Sequence, residues 1–453
     1  MKRRSILCAG VLAALCFTGA WATPLTIEHV TLIDGLHPAQ HDMTVTVDGD
    51  RITAVAPSAL AHAQSRRIDG RGKYLIPGLM DVHIHLRGGF DATAVNANLK
   101  PPNREEGVSA LASYLYSGVT TVFDAGNRPE HILTLRADER AGRILSPRIF
   151  ATGNLLTYPG SHGDRIAVRI SDFEKDKALL DKHIAEQQPD MLKLTLDEEG
   201  WGTRPMITLM PEDLLGKIIR YYNQHGIRTT VHVSNENRSL EAIYAGSDTL
   251  AHPVIQAPVS DSFVKLMAAK KTPFATTLTI GENYSRLVEH PEYLDQPLYA
   301  ASLTAQERTQ LKTQTREEWK QRPWTWWMKI MTPIAEENVR KINAAGGIAA
   351  AGTDLSSGPA TQRELELLAA AGISPLDIIH IATYNGAVFL GKADQLGSVE
   401  TGKLADLVLL SKDPTVNIEN TKSIVFVMKN GEIIDESQLP LAGGHQARRF
   451  TPP

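Results

Sequence analysis

At 453 residues the chain can bury one large core and a smaller one, and 42 % apolar against 22 % charged residues is the balance of a folded globular protein. A formal net charge of −4, with no basic stripe interleaved with aromatics, argues against a nucleic-acid partner.

Residues 1–22 read as a targeting segment. Lys2, Arg3 and Arg4 precede the apolar run SILCAGVLAALCFTGAW, and AWA before Thr23 has the A-x-A form of a signal-peptidase site. The run is interrupted and short for a membrane span. The expectation is a signal peptide cleaved after Ala22, export to the periplasm or out of the cell, and no membrane span in the mature protein. Cleavage removes Cys8 and Cys16, the only two cysteines. That excludes a disulfide framework or a thiolate metal site and leaves His, Asp, Glu and Lys as metal ligands.

From 23 to 75 apolar and polar residues alternate, as in PLTIEHVTLIDG and DMTVTVDGDRITAVAP, the pattern of short antiparallel strands. Residues 391–445 repeat the style, and Asn430-Gly431 suits a hairpin turn. Both ends together predict one small β-sandwich domain.

Residues 76–390 repeat a strand, a polar end and a helix. The strand candidates are LMDVHIHL, GVTTVFDAG, PRIFATGN, DMLKLTLD, IRTTVHVS, SDTLAHPV, TPFATTLT and GGIAAAGTD. Most are nearly continuous in aliphatic and β-branched residues, as buried parallel strands are. Helical patterns such as PEDLLGKIIRYYNQHG fall between them. Eight such units predict an α/β fold, a (β/α)8 TIM-like barrel. Before the eighth strand, about residues 281–335 are too long for one crossover and hold Trp319, Trp324, Trp326 and Trp327, four of the six tryptophans. A Trp-rich helical insertion is expected there, packing its own core or walling the barrel mouth.

Catalytic side chains of such barrels sit at the carboxyl ends of the strands. His83 and His85 close the first predicted strand and, two residues apart, share a face. Lys193 falls at the end of the fourth, His232 of the fifth, His252 of the sixth and Asp354 of the eighth. Imidazoles and a carboxylate suit zinc and its neighbours. Lys193 is the odd member, because an ammonium repels a cation. A buried lysine can lose its proton, and the neutral amine reacts with carbon dioxide to give a carbamate able to bridge two metals. Each residue alone reads as an ordinary strand residue; the six together read as a metal site.

That constellation, with PGLMDVHIHL, SGVTTVFDAG, DIIHIATYNGAVFLG and LGSVETGKLADLVLL, resembles the amidohydrolase superfamily in its binuclear-metal subtype. The resemblance implies two divalent ions, zinc by their donors. His83 and His85 would hold the more buried ion and His232 and His252 the more exposed one. A carboxylated Lys193 would bridge them, and Asp354 would be ligand and proton shuttle. Within the superfamily the chain is similar to imidazolonepropionase-related and prolidase-like members, which cleave cyclic amides or dipeptides. PGSHGDR resembles their GGHGD loop and makes His162 a candidate catalytic contact to substrate or oxyanion. Two places depart from the prolidase-like pattern: LTLDEEGWG follows the fourth strand in place of a small-residue run, and Ser234 stands where a tyrosine is usual.

The implied activity is hydrolysis of a C–N amide or peptide-type bond in a small molecule: a dipeptide, an N-acyl amino acid or a cyclic amide. Two cations would lower the pKa of a bridging water, and Asp354 would take the proton and return it to the leaving nitrogen. Arg165, Arg204 and Arg238 are candidate partners for a substrate carboxylate. Two other readings stay open. One is a mononuclear deaminase with Glu236 as shuttle; the other is a non-catalytic barrel that only binds a ligand. Association into a homo-oligomer is also left open.

Overall fold

The computed structural model describes residues 24–60, 66–89 and 101–444. The signal peptide expected at 1–22 lies outside the described residues. Eight parallel barrel strands follow one another in sequence order. They are Leu79–Ile84, Val119–Asp124, Arg148–Ala151 (resumed as Leu155–Thr157), Met191–Thr195, Arg228–His232, Thr249–Leu250, Phe274–Ala275 and Ala349–Ala350. The first, second and fourth are buried at every position, which is why their sequences show no alternation.

The ladder is not continuous round the ring. At one seam Val82 N–H donates to Ala351 C=O at 2.9 Å, and at the other Asp190 N–H donates to Ala151 C=O at 3.0 Å. Gly352 makes the first seam possible. A Cβ there would lie 2.9 Å from His83 Cβ and 3.1 Å from Ala275 Cβ, so only glycine lets the three strands approach.

The terminal segments form one eight-stranded sheet. Tyr74–Pro77 lies at its centre, parallel to Leu25–Leu32 and antiparallel to Leu407–Leu410. The sheet curls until Arg51 bridges Leu404, so the sandwich is a single sheet folded over its own core of Ile27, Val45, Leu75, Leu409 and Phe426.

Between the seventh and eighth strands the chain is helical from Leu278 to Ala344, opening with Leu278–Glu289 and closing with Pro323–Ala344. Tyr284, Leu287, Tyr293, Trp319, Trp324 and Met328 pack into a separate apolar cluster. Trp324, Tyr284 and Met328 also line the cleft at the barrel mouth, so the insertion is both a small core and a wall. Among the described residues no helix is long and apolar enough to cross a membrane.

Candidate active site

A cleft of about 910 Å³ opens at the carboxyl ends of the strands. His83 is in the first strand and His85 one residue past its end; His232 is the last residue of the fifth. His252 and Asp354 lie on the turns beyond the sixth and eighth strands. Lys193 is the third of five residues in the fourth strand, not its last, with its amine still reaching the cleft.

Backbone and side-chain partners orient each ring. His83 Nδ1–H donates to Ala251 C=O at 2.8 Å and His85 Nδ1–H to Gly126 C=O at 2.6 Å. Because a carbonyl only accepts, both rings turn a lone pair at Nε2 toward the centre. His252 Nδ1 meets Thr277 Oγ1 at 3.0 Å. His232 Nε2–H donates to Asp197 Oδ2 at 3.2 Å, which leaves Nδ1 for any further partner. Asp124 holds the turn behind His85 by accepting from Leu86, Gly126 and Asn127. Asp81, its pKa raised to about 7 by burial, accepts from Thr353 and Thr361 beneath Asp354.

Asp354 has a left-handed backbone, φ 56°, fixed by its N–H donating to His83 C=O at 2.7 Å. Its Oδ1 lies 3.2 Å from His85 Nε2 and 3.6 Å from His83 Nε2. Two acceptors facing each other at such distances need a cation, proton or metal, between them. Ligand atoms of His83, His252 and Asp354 lie within 4.8 Å of one another. The donor set therefore fits a divalent cation, and the hydrogen bonds behind it are those expected of a built metal site.

The electrostatics agree. Burial, aided by Lys193 and neighbouring imidazoles, pushes His83 and His252 well down and His232 to about 4, so all three are neutral. Burial also lowers Lys193 to about 7; its amine donates to His83 Nε2 at 3.2 Å. Against the upward push of burial, the contact with His85 holds Asp354 low and ionised, and the Asp354 carboxylate in turn raises His85, as a shared positive charge between them requires.

His162 is brought into the same cleft. Its Nδ1–H donates to Glu199 Oε1 at 2.9 Å and its ring stacks on His232, centroids 4.0 Å apart. Arg165 and Arg204 line the cleft too. Arg238 does not; it is paired with Glu198 and Glu241. Glu236 accepts from Ser260 N–H and Oγ, outside the cleft, and is not placed to shuttle protons there. Sequence reasoning missed Asp197, Glu199, Trp201 and Arg322, all of which line the cleft. The first three lie within LTLDEEGWG, whose acids just past a strand end were a usable signal.

Fold and cleft define a barrel hydrolase with a polar centre at the strand ends. The sequence matches the model of the amidohydrolase family over residues 74–434, and the chain belongs to that family. It is 24 % identical over 424 residues to an imidazolonepropionase of Streptomyces avermitilis, spanning 85 % of this chain and 84 % of that one. Among solved structures, a prolidase complexed with N-methylphosphonate-L-proline matches with a TM-score of 0.74 and 20 % identity, over 91 % of this chain and 99 % of that one. Ochratoxinase from A. niger matches with a TM-score of 0.72 and 20 % identity, over 91 % and 96 %.

Proposed function

We propose that the mature protein is an exported amidohydrolase that cleaves a C–N amide or peptide-type bond of a small substrate, using two divalent ions held by His83, His85, Lys193, His232, His252 and Asp354. The observation that carries this is the meeting of His85 Nε2 and Asp354 Oδ1 at 3.2 Å, a contact that needs a cation between them. The names of the relatives, an imidazolonepropionase and a prolidase, point to the bond type. Bound there, the cations would supply Lewis acidity toward the scissile carbonyl and the attacking water.

The chain's own groups do the rest. Asp354 accepts the water's proton at its carboxylate and passes it to the leaving nitrogen. Lys193, its ammonium disfavoured by burial, carries carbon dioxide as a carbamate, releasing one proton. Glu199 accepts from His162 Nδ1–H and so fixes the ring, leaving Nε2 to accept from a substrate N–H. Metal analysis of the secreted protein should find two ions per chain, zinc first, and a panel of dipeptides, N-acyl amino acids and cyclic amides should include a substrate. One ion per chain with Lys193→Ala still active would replace this reading with a mononuclear site. Turnover of nothing by metal-loaded protein would leave a binding protein. Export is checked by N-terminal sequencing, with Thr23 as the expected first residue.

A further inference from the structure

Thr277 caps the insertion's first helix, a place where a threonine hydroxyl ordinarily accepts from a backbone N–H of the first turn. Here it does not. The hydroxyl makes no capping bond and meets His252 Nδ1 at 3.0 Å instead. The Thr277 backbone is left-handed, φ 36° and ψ 38°, a conformation that strains a β-branched residue. Its N–H donates at 2.9 Å to the carbonyl of Gly352, two residues before Asp354. Some other group must hold this turn and satisfy the first N–H groups of the helix.

Glu364 does both. It comes from the helix Gly358–Ala370, is fully buried, and grips the residues on either side of Thr277. Its Oε1 accepts from Thr276 Oγ1 at 2.5 Å and from Leu278 N–H at 3.0 Å. Its Oε2 accepts from Thr279 N–H at 2.8 Å and from Thr279 Oγ1 at 2.5 Å. All four donors are neutral. A carboxylate buried among neutral groups is costly, and these bonds offset that cost. Burial pushes its pKa up, and the four bonds oppose the rise. With Thr276, Leu278 and Thr279 held on one side and its own N–H on Gly352, Thr277 cannot relax to the extended backbone of an ordinary N-cap.

We propose that Glu364 is a positioning residue for the histidine cluster. By capping the helix in place of Thr277, it keeps the Thr277 hydroxyl on His252 Nδ1 and leaves Nε2 as the ring's remaining nitrogen. Without Glu364 the hydroxyl turns back to its own helix, and His252 loses the partner that orients it. That the oriented ring meets a cation rests on the hydrolytic reading; the exchange of caps does not.

Two measurements test this, and neither needs a substrate. In metal-free mature protein, heteronuclear NMR of the imidazoles reports how each neutral ring shares its proton between Nδ1 and Nε2. Thr277→Val takes the hydroxyl from His252 and leaves the Glu364 cap in place. Glu364→Gln keeps the shape but turns an amide N–H toward a donor that needs an acceptor. Both should move the His252 signals in the same direction, and Thr277→Ser should leave them where they are. Thr279→Val, which loosens Glu364 more gently, should move them less, and it decides the question if Glu364→Gln does not fold. The second measurement is chelator competition for zinc ion. Thr277→Val and Glu364→Gln should each weaken retention about 10-fold. The double variant should be no weaker than the weaker single, because both substitutions break one bond. A Glu364 that serves stability alone would lower the urea midpoint, leave the His252 signals unmoved and give a double variant as weak as the product of the singles. Unmoved signals or multiplied losses overturn the proposal. If the unmodified protein retains no zinc, the hydrolytic reading fails and the NMR comparison alone decides the role of Glu364.

Discussion

Asp197 touches His232 by one hydrogen bond, and that bond decides which ring nitrogen remains for a cation. Asp197→Asn keeps the shape but removes the charge that fixes the tautomer. It should weaken metal retention by about 10- to 100-fold, measured by chelator competition, with unchanged circular dichroism. His183, far from the site, acts on stability. Its Nε2–H donates to Asn154 C=O at 2.9 Å, its Nδ1 accepts from Tyr222 OH at 2.9 Å, and burial lowers its pKa to about 4. The folded ring is neutral, so stability is full above the unfolded pKa near 6.5 and falls as pH drops toward about 4. That loss is on the order of 3 kcal/mol, and urea midpoints of His183→Asn should fall less over this pH window than those of the unmodified protein. At this scale the sequence showed chemistry but not partnership. His83, His85, His232, His252 and Asp354 announce themselves by type and place. The carbonyls of Ala251 and Gly126 that aim the rings look like every other carbonyl. Arg238 was as good a candidate as Arg165 or Arg204 until Glu198 and Glu241 were seen to hold it.

The insertion illustrates what happens between elements. It was expected over about 281–335, yet its first helix starts at Leu278 because Glu364, from the helix after the eighth strand (Gly358–Ala370), accepts from the N–H groups of Leu278 and Thr279 at 3.0 and 2.8 Å. A cap supplied from so far along the chain leaves no local mark. Its last helix runs through Pro333 to Ala344, since Met331, Ala335, Val339 and Ile342 keep one face buried and outweigh the proline. Trp319, 4.8 Å from Tyr284 in the insertion's core, supports the wall of the cleft without lining it. Trp319→Ala should cost about 3–5 kcal/mol in urea unfolding and should raise KM more than it lowers kcat.

The whole molecule is held at its base by pairs that join the terminal sheet to the barrel. Lys429, in the strand Ile424–Lys429, donates to Glu139 of the helix Pro129–Arg140 at 2.6 Å, with 9 % and 5 % of their side chains exposed. Lys429→Met alone strands a buried carboxylate and should cost about 3–5 kcal/mol, whereas Lys429→Met with Glu139→Leu should recover most of it in the same urea titration. The barrel class was readable because eight buried runs each ended in polar residues. The pairing of the terminal strands was not, because alternation marks which face is inward and is silent on which strand lies alongside. Hence the sandwich was legible, and its construction from one sheet folded over itself was not.

Tyr74–Pro77 takes its two neighbours from opposite ends of the chain and leads, through Gly78, straight into the strand that bears His83. A nascent chain released before residue 407 would therefore display the open edge of Tyr74–Pro77 just ahead of the strand that bears His83. Such an edge invites aggregation or proteolysis. The split sheet thus serves as a test of completeness: the site is supported on its base only once the last strands have been made, and fragments carry their own mark for disposal.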